Sequence, residues 1–410
     1  MVKMQQSLPV KVALPYEIVS PDRALWTARN SPILMHILYL GFDVGGVGGI
    51  ATYTRHQLRA LRDLGHSLEV LSIDKQETIF NPGHANRHIP FASRAGVVSA
   101  LLGAVLRPIR PFDLVMTNHV YLAMFGRVAR ALRGTPYVFN VYNVDILTRL
   151  TALREYAFTR ADLVIADCQY TIDSLPQFHD TVPPTGLLYD PVDTGFFRPI
   201  AKPEARREVE RRFGLSGLDQ RVIAVTVAHM AGPPNNNKGH RQTIEALQQL
   251  RDPRFLYLIV GAGPDRPAIE EHVRQHRVGE QVKFLGLVDQ DALPFLYACA
   301  DAAILVAKGG PGLGEAVPLG LIEASACGTA FVCGNEDGSV EAIDAADANG
   351  IAIDPSRADA LAACLRRFAD EPGLAERMGR NGVAMVDRVF KYERYVEQQG
   401  KLLQRLARTA

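Results

Sequence analysis

Two glutamates in the last third of the chain have the residue type and spacing to bind a hydroxyl-rich ligand. Glu315 and Glu323 are separated by seven residues within the segment 314–328. We expect Glu315 in a loop after a strand at 302–306 and Glu323 about one turn into the next helix, so that the two carboxylates face a cleft at different depths. A carboxylate accepts two hydroxyl hydrogen bonds well, which suits a sugar and a ribose. The alternative interpretation is that both are solvated glutamates stabilised by a helix dipole.

A glycine-rich loop near the start of the chain is a second candidate site. Residues 43–49 read Asp-Val-Gly-Gly-Val-Gly-Gly and separate the first predicted strand from the first predicted helix. Glycines let the backbone approach a ligand and a helix N-terminus attracts phosphate, so the loop is a candidate phosphate or sugar cradle. A tight strand-to-helix turn explains it equally well. No G-x-G-x-x-G pattern fits the loop, which disfavours dehydrogenase chemistry.

The elements that must position these residues are short apolar strands that alternate with amphipathic helices. In the first half, strands are predicted at 36–40, 68–73, 113–117, 136–141 and 162–166, with a helix at 50–64. In the second half, strands are predicted at 222–227, 255–260, 282–285, 302–306 and 330–333, with helices at 241–250 and 358–368. Such apolar strands in βαβ units are typical of parallel sheets covered by helices on both faces.

The chain is too long for one ordinary core, because 410 residues exceed the usual size of a domain. We predict an α/β protein with two Rossmann-like doubly wound domains, at 1–200 and 201–390, facing across a cleft. Residues 1–33 form an extension, and a last helix at 391–408 is a candidate to pack back on the first domain. The charged run 204–212 is interpreted as a surface segment near the hinge. Open parallel sheets bind ligands at the carboxyl ends of their strands, so the cleft is the expected active site.

Composition indicates a soluble globular enzyme. Apolar residues make up 47% of the chain, charged residues 22%, and the net charge is +1, so nothing calls for a nucleic-acid partner. The five cysteines are scattered and lack C-x-x-C spacing, which supports neither a disulfide framework nor a zinc site. Residues 1–29 carry charges and prolines where a secretory signal would be apolar, and no apolar run is long enough to span a membrane. These features predict a cytoplasmic enzyme.

Several segments, in the right order, resemble the GT-B glycosyltransferases, specifically the large retaining family 4. The resemblance covers nearly the whole chain after its first thirty or so residues. Its strongest part is Glu-x7-Glu followed by Ala-x-Ala-Cys-Gly at 315–328. The other matching segments are 48–50, 161–166, 192–197, 260–264, 284–288 and 293–297. The resemblance implies a nucleotide-sugar donor as substrate, a sugar or lipid-linked acceptor, and no cofactor.

Residue roles follow from the resemblance. It implies that Glu315 holds hydroxyls of the transferred sugar and that Glu323 holds the ribose hydroxyls. Lys238 matches the lysine that neutralises the diphosphate, a fixed cation in place of a metal. The other donor-binding residues that it implies are Gly48 and Gly49 in the glycine loop, Val317, Pro318, Leu319 and Gly320 through their backbone, and Gly286 and Val288 at the base edge.

Two positions depart from the family pattern. The family commonly has an arginine shortly before the lysine, where this chain has His229, so the second charge is expected from His229 or from a neighbour such as Arg241, or one cation suffices. The family also tends to have a His-Gly pair near the reacting carbon, where this chain has Tyr142 and Asn143. His119, predicted just after the strand at 113–117, is the candidate that would compensate; an ordinary strand-end histidine is the preferred interpretation.

The expected reaction is a transfer with retained configuration, in which the acceptor attacks from the face that the diphosphate leaves. Two other classes stay open at this point: a nucleotide-sugar 2-epimerase of similar architecture, and a non-catalytic protein that binds sugar nucleotides. No metal is expected, because Asp289 and Asp291 stand just before a predicted helix, where aspartates commonly cap.

A membrane contact is a further candidate. Between Arg87 and Arg133 seven arginines accompany one acid, Asp113, and the apolar helical stretch 95–106 lies among them. Basic amphipathic surfaces favour anionic lipid, whereas a solvated domain helix explains the pattern equally well.

Overall fold

The computed structural model describes residues 33–46, 48–74, 87–90, 93–233, 238–310, 313–346 and 348–409. The predicted extension at 1–33 therefore lies, except for its last residue, outside the described residues. The same holds for Val47 in the glycine loop.

The described strands form two sheets, and their pairings are parallel. The first sheet contains β1 His36–Phe42, β2 Ser67–Asp74, β3 Arg87–Pro90, β4 Leu114–Thr117, β5 Tyr137–Val141, β6 Leu163–Ala166 and β7 Thr185–Leu187. The second sheet contains β8 Val222–Val227, β9 Phe255–Val260, β10 Val282–Gly286, β11 Ala302–Leu305, β12 Ala330–Gly334 and β13 Gly350–Ile353. The predicted α/β fold with two doubly wound sheets is confirmed.

Helices cover both faces of each sheet. Those that follow strands of the first sheet are α1 Gly49–Asp63, α2 Arg94–Leu106, α3 Ala123–Arg133, α4 Asn143–Ile146, α5 Ala152–Phe158 and α6 Gln169–Ser174. Those of the second half are α7 Lys202–Phe213, α8 His240–Leu250, α9 Arg266–His276, α10 Leu293–Cys299, α11 Leu319–Ala326, α12 Ala358–Asp370, α13 Leu374–Met385 and α14 Tyr392–Thr409. The apolar faces of these helices and the strands form two buried clusters in each half of the chain.

The order of the strands decides where a ligand can bind. The first sheet runs β3-β2-β1-β4-β5-β6-β7 and the second runs β10-β9-β8-β11-β12-β13. The winding therefore reverses between β1 and β4 in one sheet and between β8 and β11 in the other. Loops on either side of such a reversal diverge to opposite faces and leave a crevice at the carboxyl ends of the strands. The glycine loop after β1 and the loops after β8 and β11 lie at these crevices.

The charged run at 204–212 lies in a helix, which the sequence analysis did not predict, with Glu204, Arg207 and Arg211 exposed at the surface. It belongs to α7, which packs against α10 and buries Ala205 and Val209. Arg206 is buried too, because its guanidinium donates to Asp301 at 3.1 Å. The buried face of α7 can therefore include a charged residue, because the salt bridge compensates the cost of burying the arginine.

The chain crosses between the two halves twice, and the two crossings touch. The first crossing follows β7, and the second leads from α13 into α14. Where they meet, the backbone N–H of Val192 donates to the carbonyl of Phe390 at 2.9 Å. Beyond the second crossing, α14 lies against α1 and buries Tyr395, Leu403 and Leu406 in a cluster of the first half.

A single acidic side chain also joins the two halves. Glu341, which follows β12, accepts hydrogen bonds from the backbone N–H groups of Gln169 and Tyr170 at 2.8 and 2.7 Å. It accepts a third from the hydroxyl of Tyr189 at 2.8 Å. A carboxylate at the N-terminus of α6 therefore holds the second half against the first.

Candidate active site

A cavity of about 460 Å³ lies where the two crevices face each other. Its lining residues come from both halves of the chain. Those of the first half are Gly49, Ile50, Tyr53, Tyr142, Asp167 and Asp190, and those of the second half are His229, Ala231, Lys238, Leu313, Gly314, Glu315, Ala316, Val317, Pro318 and Leu319. The cavity is of the size that holds a small polar ligand.

The glycine loop contributes the N-terminus of α1 to this cavity. Gly48 precedes the helix with φ of 123°, a conformation that favours glycine, and Gly49 lines the cavity. Arg55, one turn and a half along α1, donates to the carbonyl of Gly46 at 2.7 Å. A side chain of α1 thus holds the loop that precedes this helix. The first residues of α1, Gly49 and Ile50, line the cavity. Gly48 itself is not among the residues that line it.

Lys238 and Glu315 meet inside the cavity as an ion pair. They come from the loops after β8 and β11, the two strands at the reversal of the second sheet. Gly239 makes the approach possible: its φ is 84°, and a Cβ at this position would lie 2.8 Å from the backbone nitrogen of Val306. Both side chains remain about one fifth exposed, so a ligand that enters the cavity can reach them.

The backbone around Glu315 is fixed by Asp337, the residue just before a short helical turn at 338–342. The carboxylate of Asp337 accepts from the N–H of Glu315 at 2.8 Å and from the N–H of Ser339 at 3.0 Å. Burial raises the pKa of Asp337 to about 6. Glu315 is therefore presented on a rigid loop.

The segment after Glu315 leads into α11. Val317, Pro318 and Leu319 line the cavity, and the first N–H groups of a helix have no partner within it, which makes them donors for an anion. Pro318 has no N–H and offers only its ring and carbonyl. Gly320 lies one residue deeper, outside the lining, where an added Cβ would meet the hydroxyl of Tyr297 at 3.3 Å.

Glu323 lies behind the cavity wall and is not among the residues that line it. The hydroxyl of Tyr297 donates to its carboxylate at 2.8 Å. Burial raises the pKa of Glu323 to about 7, while the hydrogen bond from Tyr297 opposes that rise. The sequence predicts that both carboxylates face the cleft; Glu315 lines the cavity, whereas a ribose-binding role for Glu323 stays a prediction.

Gly286 is the last residue of β10 and Val288 follows the strand, and both lie outside the cavity lining. The carbonyl of Gly286 accepts from the N–H of Gly261 at 2.7 Å, next to the end of β9. Val288 packs against the core of the second half. A role for either residue in reading the base stays a prediction.

His229 occupies the cavity wall where the family commonly has an arginine. Arg241, the other candidate for a second charge, does not line the cavity. Both its terminal nitrogens donate to the carboxylate of Asp265, at 2.8 and 3.1 Å. Of these two residues, His229 is the one that lines the cavity.

The three acceptor-side candidates have different positions. Tyr142 lines the cavity, with its ring edge-on to Tyr53 at 5.7 Å. His119 does not line it: its Nδ1 accepts from the N–H of Tyr121 at 3.2 Å, and its Nε2 lies 3.1 Å from Oδ2 of Asp145. Asn143 is the first residue of α4, and its acceptor-side role stays a prediction.

Two aspartates in the cavity were missed from the sequence. Asp167 directly follows β6, and Asp190 follows β7. Burial raises the pKa of Asp167 to about 8, and burial also raises the pKa of Asp190 against a hydrogen bond from His56. The sequence feature that could have identified them is their position, because each follows the carboxyl end of a strand, where ligands bind in parallel sheets.

The capping interpretation is met in position by Asp289 alone, which is the N-cap residue of a short helical turn at 290–292. Asp289 precedes a short helical turn without a side-chain cap hydrogen bond, and Asp291 accepts from Arg212 at 2.9 Å. The described part of the chain contains one group with metal-ligand geometry, Glu245, His272 and His276, whose ligand atoms lie within 4.8 Å of one another. None of these three lines the cavity.

Two further observations concern the cysteines and the described helices. All five cysteines are buried thiols outside any disulfide. Among the described helices, none is both long enough and apolar enough to cross a bilayer.

Family models match both halves of the chain. The model described as Glycosyltransferase Family 4 matches residues 47–196, and the model described as Glycosyl transferases group 1 matches residues 225–385. The two matched regions contain the two crevices and, between them, every residue of the cavity lining.

Similar proteins agree with these models. The chain is 27% identical, over 64% of its length and 68% of the relative, to the GDP-mannose-dependent alpha-(1-6)-phosphatidylinositol monomannoside mannosyltransferase of Mycolicibacterium smegmatis. It is 26% identical, over 71% of its length and 78% of the relative, to the 2-deoxystreptamine glucosyltransferase of Streptomyces kanamyceticus. The structure of HepE from Anabaena in complex with UDP superimposes with a TM-score of 0.74 at 19% identity, over 90% of this chain and 100% of that one. Fold, cavity position and matched models agree, and the chain is a glycosyltransferase of the GT-B fold, with a family 4 first half and a group 1 second half.

Proposed function

We propose that the protein transfers a hexose from a nucleotide-sugar donor to a hydroxyl of an acceptor, with retention of configuration and without a metal ion. The observation that carries the proposal is the ion pair of Lys238 and Glu315 in a cavity between the two halves. The pair supports the proposal because a lysine can bind a diphosphate and a neighbouring carboxylate can accept the hydroxyls of a sugar.

The donor roles follow from this placement. The diphosphate lies at Lys238 and at the N-terminus of α11, where amide donors and the helix dipole favour negative charge. Glu315 exchanges its contact with Lys238 for hydroxyls of the sugar. Glu323, deeper along α11, holds the ribose hydroxyls, and the glycine loop covers the phosphates from the other half.

The reaction needs a departing diphosphate and an attacking hydroxyl on one face of the sugar. The bond between the anomeric carbon and the diphosphate oxygen breaks, and its electrons leave with that oxygen, whose growing charge Lys238 stabilises. The acceptor oxygen forms the new bond to the same carbon, and its proton passes to the departing phosphate oxygen. The enzyme contributes position and fixed charge, and no covalent intermediate is required.

The choice of hexose follows from the relatives, whose names describe a mannosyl transfer and a glucosyl transfer. The same names describe a glycolipid acceptor in one case and a cyclitol acceptor in the other. We propose a role in the synthesis of a glycolipid, a lipid-linked glycan or a polysaccharide.

Product analysis tests the proposal. The protein is incubated with UDP- and GDP-hexoses, with and without an extract that contains acceptors. We expect UDP or GDP release that depends on the extract, and a glycoside with the anomeric configuration of the donor. A converted sugar nucleotide would indicate an epimerase, binding without turnover would indicate a binding protein, and an inverted product would contradict the retaining route.

We also propose that a basic-apolar patch, composed of Leu106, Arg107, Ile109, Arg110, Leu132 and Arg133, brings the enzyme to anionic membrane. The observation behind it is exposure: Ile109 is fully exposed, and Leu132 is 67% exposed. Arg133 donates to the carbonyl of Leu106 at 2.6 Å, so the ends of α2 and α3 form one surface. Exposed apolar side chains among arginines are typical of surfaces that bind anionic headgroups.

A further inference from the structure

Three side chains on two helices of the second half form a cluster that the transfer reaction does not use. Glu245 lies on α8, and His272 and His276 lie on α9, which packs against α8. We call these three residues the α8–α9 cluster. None of them lines the cavity between the two halves, and each is partly exposed. The cluster therefore needs an explanation other than binding of the donor or the acceptor.

The two histidines have the spacing of a metal-binding helix. They are four residues apart, in the sequence His-Val-Arg-Gln-His. Residues at this spacing lie on the same face of a helix, one turn apart, and helices commonly present two imidazoles to one zinc ion in this way. The centroids of the two rings lie 4.1 Å apart. Ile269 and Val273 are buried in the core of the second half, which fixes the rotation of α9.

A hydrogen bond selects the ring nitrogen that His276 can offer to a metal. Its Nδ1 lies 2.9 Å from the carbonyl oxygen of His272. A carbonyl oxygen can only accept, so Nδ1 carries the proton and Nε2 of the neutral ring keeps its lone pair. Histidine ligands of metals usually have this arrangement, in which a carbonyl or a carboxylate holds the second ring nitrogen. His276 is therefore oriented as a ligand through Nε2.

The distances within the cluster fit a tetrahedral ion. Nε2 of His272 lies 3.2 Å from Oε1 of Glu245. Two ligand atoms on a tetrahedral zinc ion with bonds of about 2.0–2.1 Å lie about 3.3–3.4 Å apart, so this pair already has the required separation. One ligand atom from each of the three residues lies within 4.8 Å of the other two. A shift of about 1.5 Å completes the site, and the side chain of Glu245, which is 40% exposed, has room to make it.

An ion pair alone does not account for the cluster. One protonated imidazole would pair with Glu245, but a second protonated imidazole beside it would be repelled by the like charge. Burial lowers the pKa of His272, and the neighbouring His276 lowers it further, which favours the neutral form that metals bind. Helix α9 ends at His276, so the negative end of its dipole lies at the cluster. These groups together favour a cation.

We propose that the α8–α9 cluster binds a zinc ion through His272, His276 and Glu245, with water at the fourth position. Two imidazole nitrogens and a carboxylate suit zinc, whereas magnesium and calcium prefer oxygen ligands. Because the ligands come from two helices, the ion links α8 to α9 and stabilises the second half without contact to the cavity. The inference does not depend on the proposed function, whose reaction uses no metal.

The test measures zinc binding to the full-length protein without a histidine tag. Calorimetry with zinc chloride gives the stoichiometry and the Kd, and thermal unfolding with and without zinc gives the change in Tm. His272→Ala, His276→Ala and Glu245→Gln each remove one ligand. Glu271→Gln, which removes an exposed carboxylate on the same helix, is the matched control. Magnesium chloride replaces zinc chloride in a parallel series.

We expect one zinc ion per chain and a Tm that rises by about 3 °C at a zinc concentration roughly a hundredfold above Kd. Each ligand variant should bind zinc at least about tenfold more weakly and should lose most of the rise in Tm. The control should bind zinc within about twofold of the wild type. Magnesium should leave the Tm of every variant unchanged.

Two results would overturn the inference: no zinc binding by the wild type up to about 0.1 mM, or ligand variants that bind zinc as tightly as the control does. Because the three side chains are partly exposed, their replacement should leave the fold intact, and circular dichroism checks this. If one ligand variant failed to fold, the other two would decide the question. Failure of the proposed function would change none of these results, since no nucleotide or acceptor takes part in the measurements.

Discussion

Tyr297 donates a hydrogen bond of 2.8 Å to the carboxylate of Glu323, behind the wall of the cavity. Because burial raises the pKa of Glu323 to about 7, this carboxyl group loses its proton between roughly pH 6 and pH 8. A carboxylate accepts ribose hydroxyls better than a protonated carboxyl group does. We therefore expect the affinity for free nucleoside diphosphate to rise about tenfold from pH 6 to pH 8.

Substitution separates this effect from ionisation of the nucleotide. Glu323→Gln should remove the part of the pH dependence that comes from the enzyme, and Tyr297→Phe should move the midpoint to higher pH, because the hydrogen bond from Tyr297 lowers the pKa. Glu323→Ala should weaken the donor and the free nucleotide alike. Calorimetry at each pH measures all three, and normal binding of free nucleotide by Glu323→Ala would refute the ribose role.

Lys238→Ala should lower kcat by about a hundredfold or more with a smaller effect on donor affinity. The charge on the diphosphate grows as the glycosidic bond breaks, so the contact with Lys238 is stronger in the transition state than in the ground state. Glu315→Ala should harm both kcat and KM, and should reduce discrimination between the donor and its epimer. Steady-state kinetics with both donors measure these values.

Because Lys238 and Glu315 form an ion pair, we also make a prediction for the double variant. The two side chains contact each other, so the effects of the two substitutions should not add, and the double variant should lose less activity than the sum of the two. Wild-type kcat with a raised KM in Lys238→Ala would show that the lysine only binds the donor.

Activity should survive exhaustive treatment with EDTA, because Lys238 and the N-terminus of α11 take the place of a divalent ion. The control is His272→Ala, which removes a member of the remote group with metal-ligand geometry. A loss that magnesium restores equally in wild type and control would contradict the prediction.

Binding to vesicles should depend on the basic-apolar patch. Replacement of Arg107 and Arg110 by glutamine should weaken partitioning onto phosphatidylglycerol vesicles on the order of tenfold, since each arginine contributes about 1 kcal/mol near an anionic surface. Ile109→Asp should act in the same direction, whereas Leu153→Asp, at a separate exposed apolar residue, serves as the control. Cosedimentation measures the effect, and equal loss in the control would argue against a specific patch.

Glu341→Ala should lower the free energy of unfolding by roughly 2 kcal/mol, because it removes the acceptor of two backbone N–H groups and a phenol. Glu376→Ala is the control, since that exposed carboxylate lies 3.8 Å from its lysine partner. Urea denaturation measures the difference. If the two variants were equally stable, Glu341 would not hold the two halves together.

The fold was largely predictable because buried parallel strands have a distinct pattern. The runs at 222–227 and 255–260 are apolar except for Thr226 and match β8 and β9. In contrast, β3 reads Arg-His-Ile-Pro and lies at the edge of its sheet, where burial does not select apolar residues. Helix α7 was missed because its buried face includes the charged residue Arg206, so its apolar pattern is weak.

The cavity was harder to predict than the fold. Lys238 and Glu315 were identified from the sequence because they lie in segments with a recognisable pattern. Asp167 and Asp190 stand beside such segments, and a single aspartate after a strand has no pattern of its own. Only the pairing of the two halves brings them opposite Lys238, and no local rule contains that information.

The contact between the two crossings, at Val192 and Phe390, has a consequence for dissecting the molecule. A fragment that ends at residue 200 would lack α14 and leave the apolar face of α1 without the cover of Tyr395, Leu403 and Leu406. The first half is thus completed by α14, a helix that follows the whole second half along the chain. During synthesis it stays unfinished until the second half has been made, so the two halves reach their final state together.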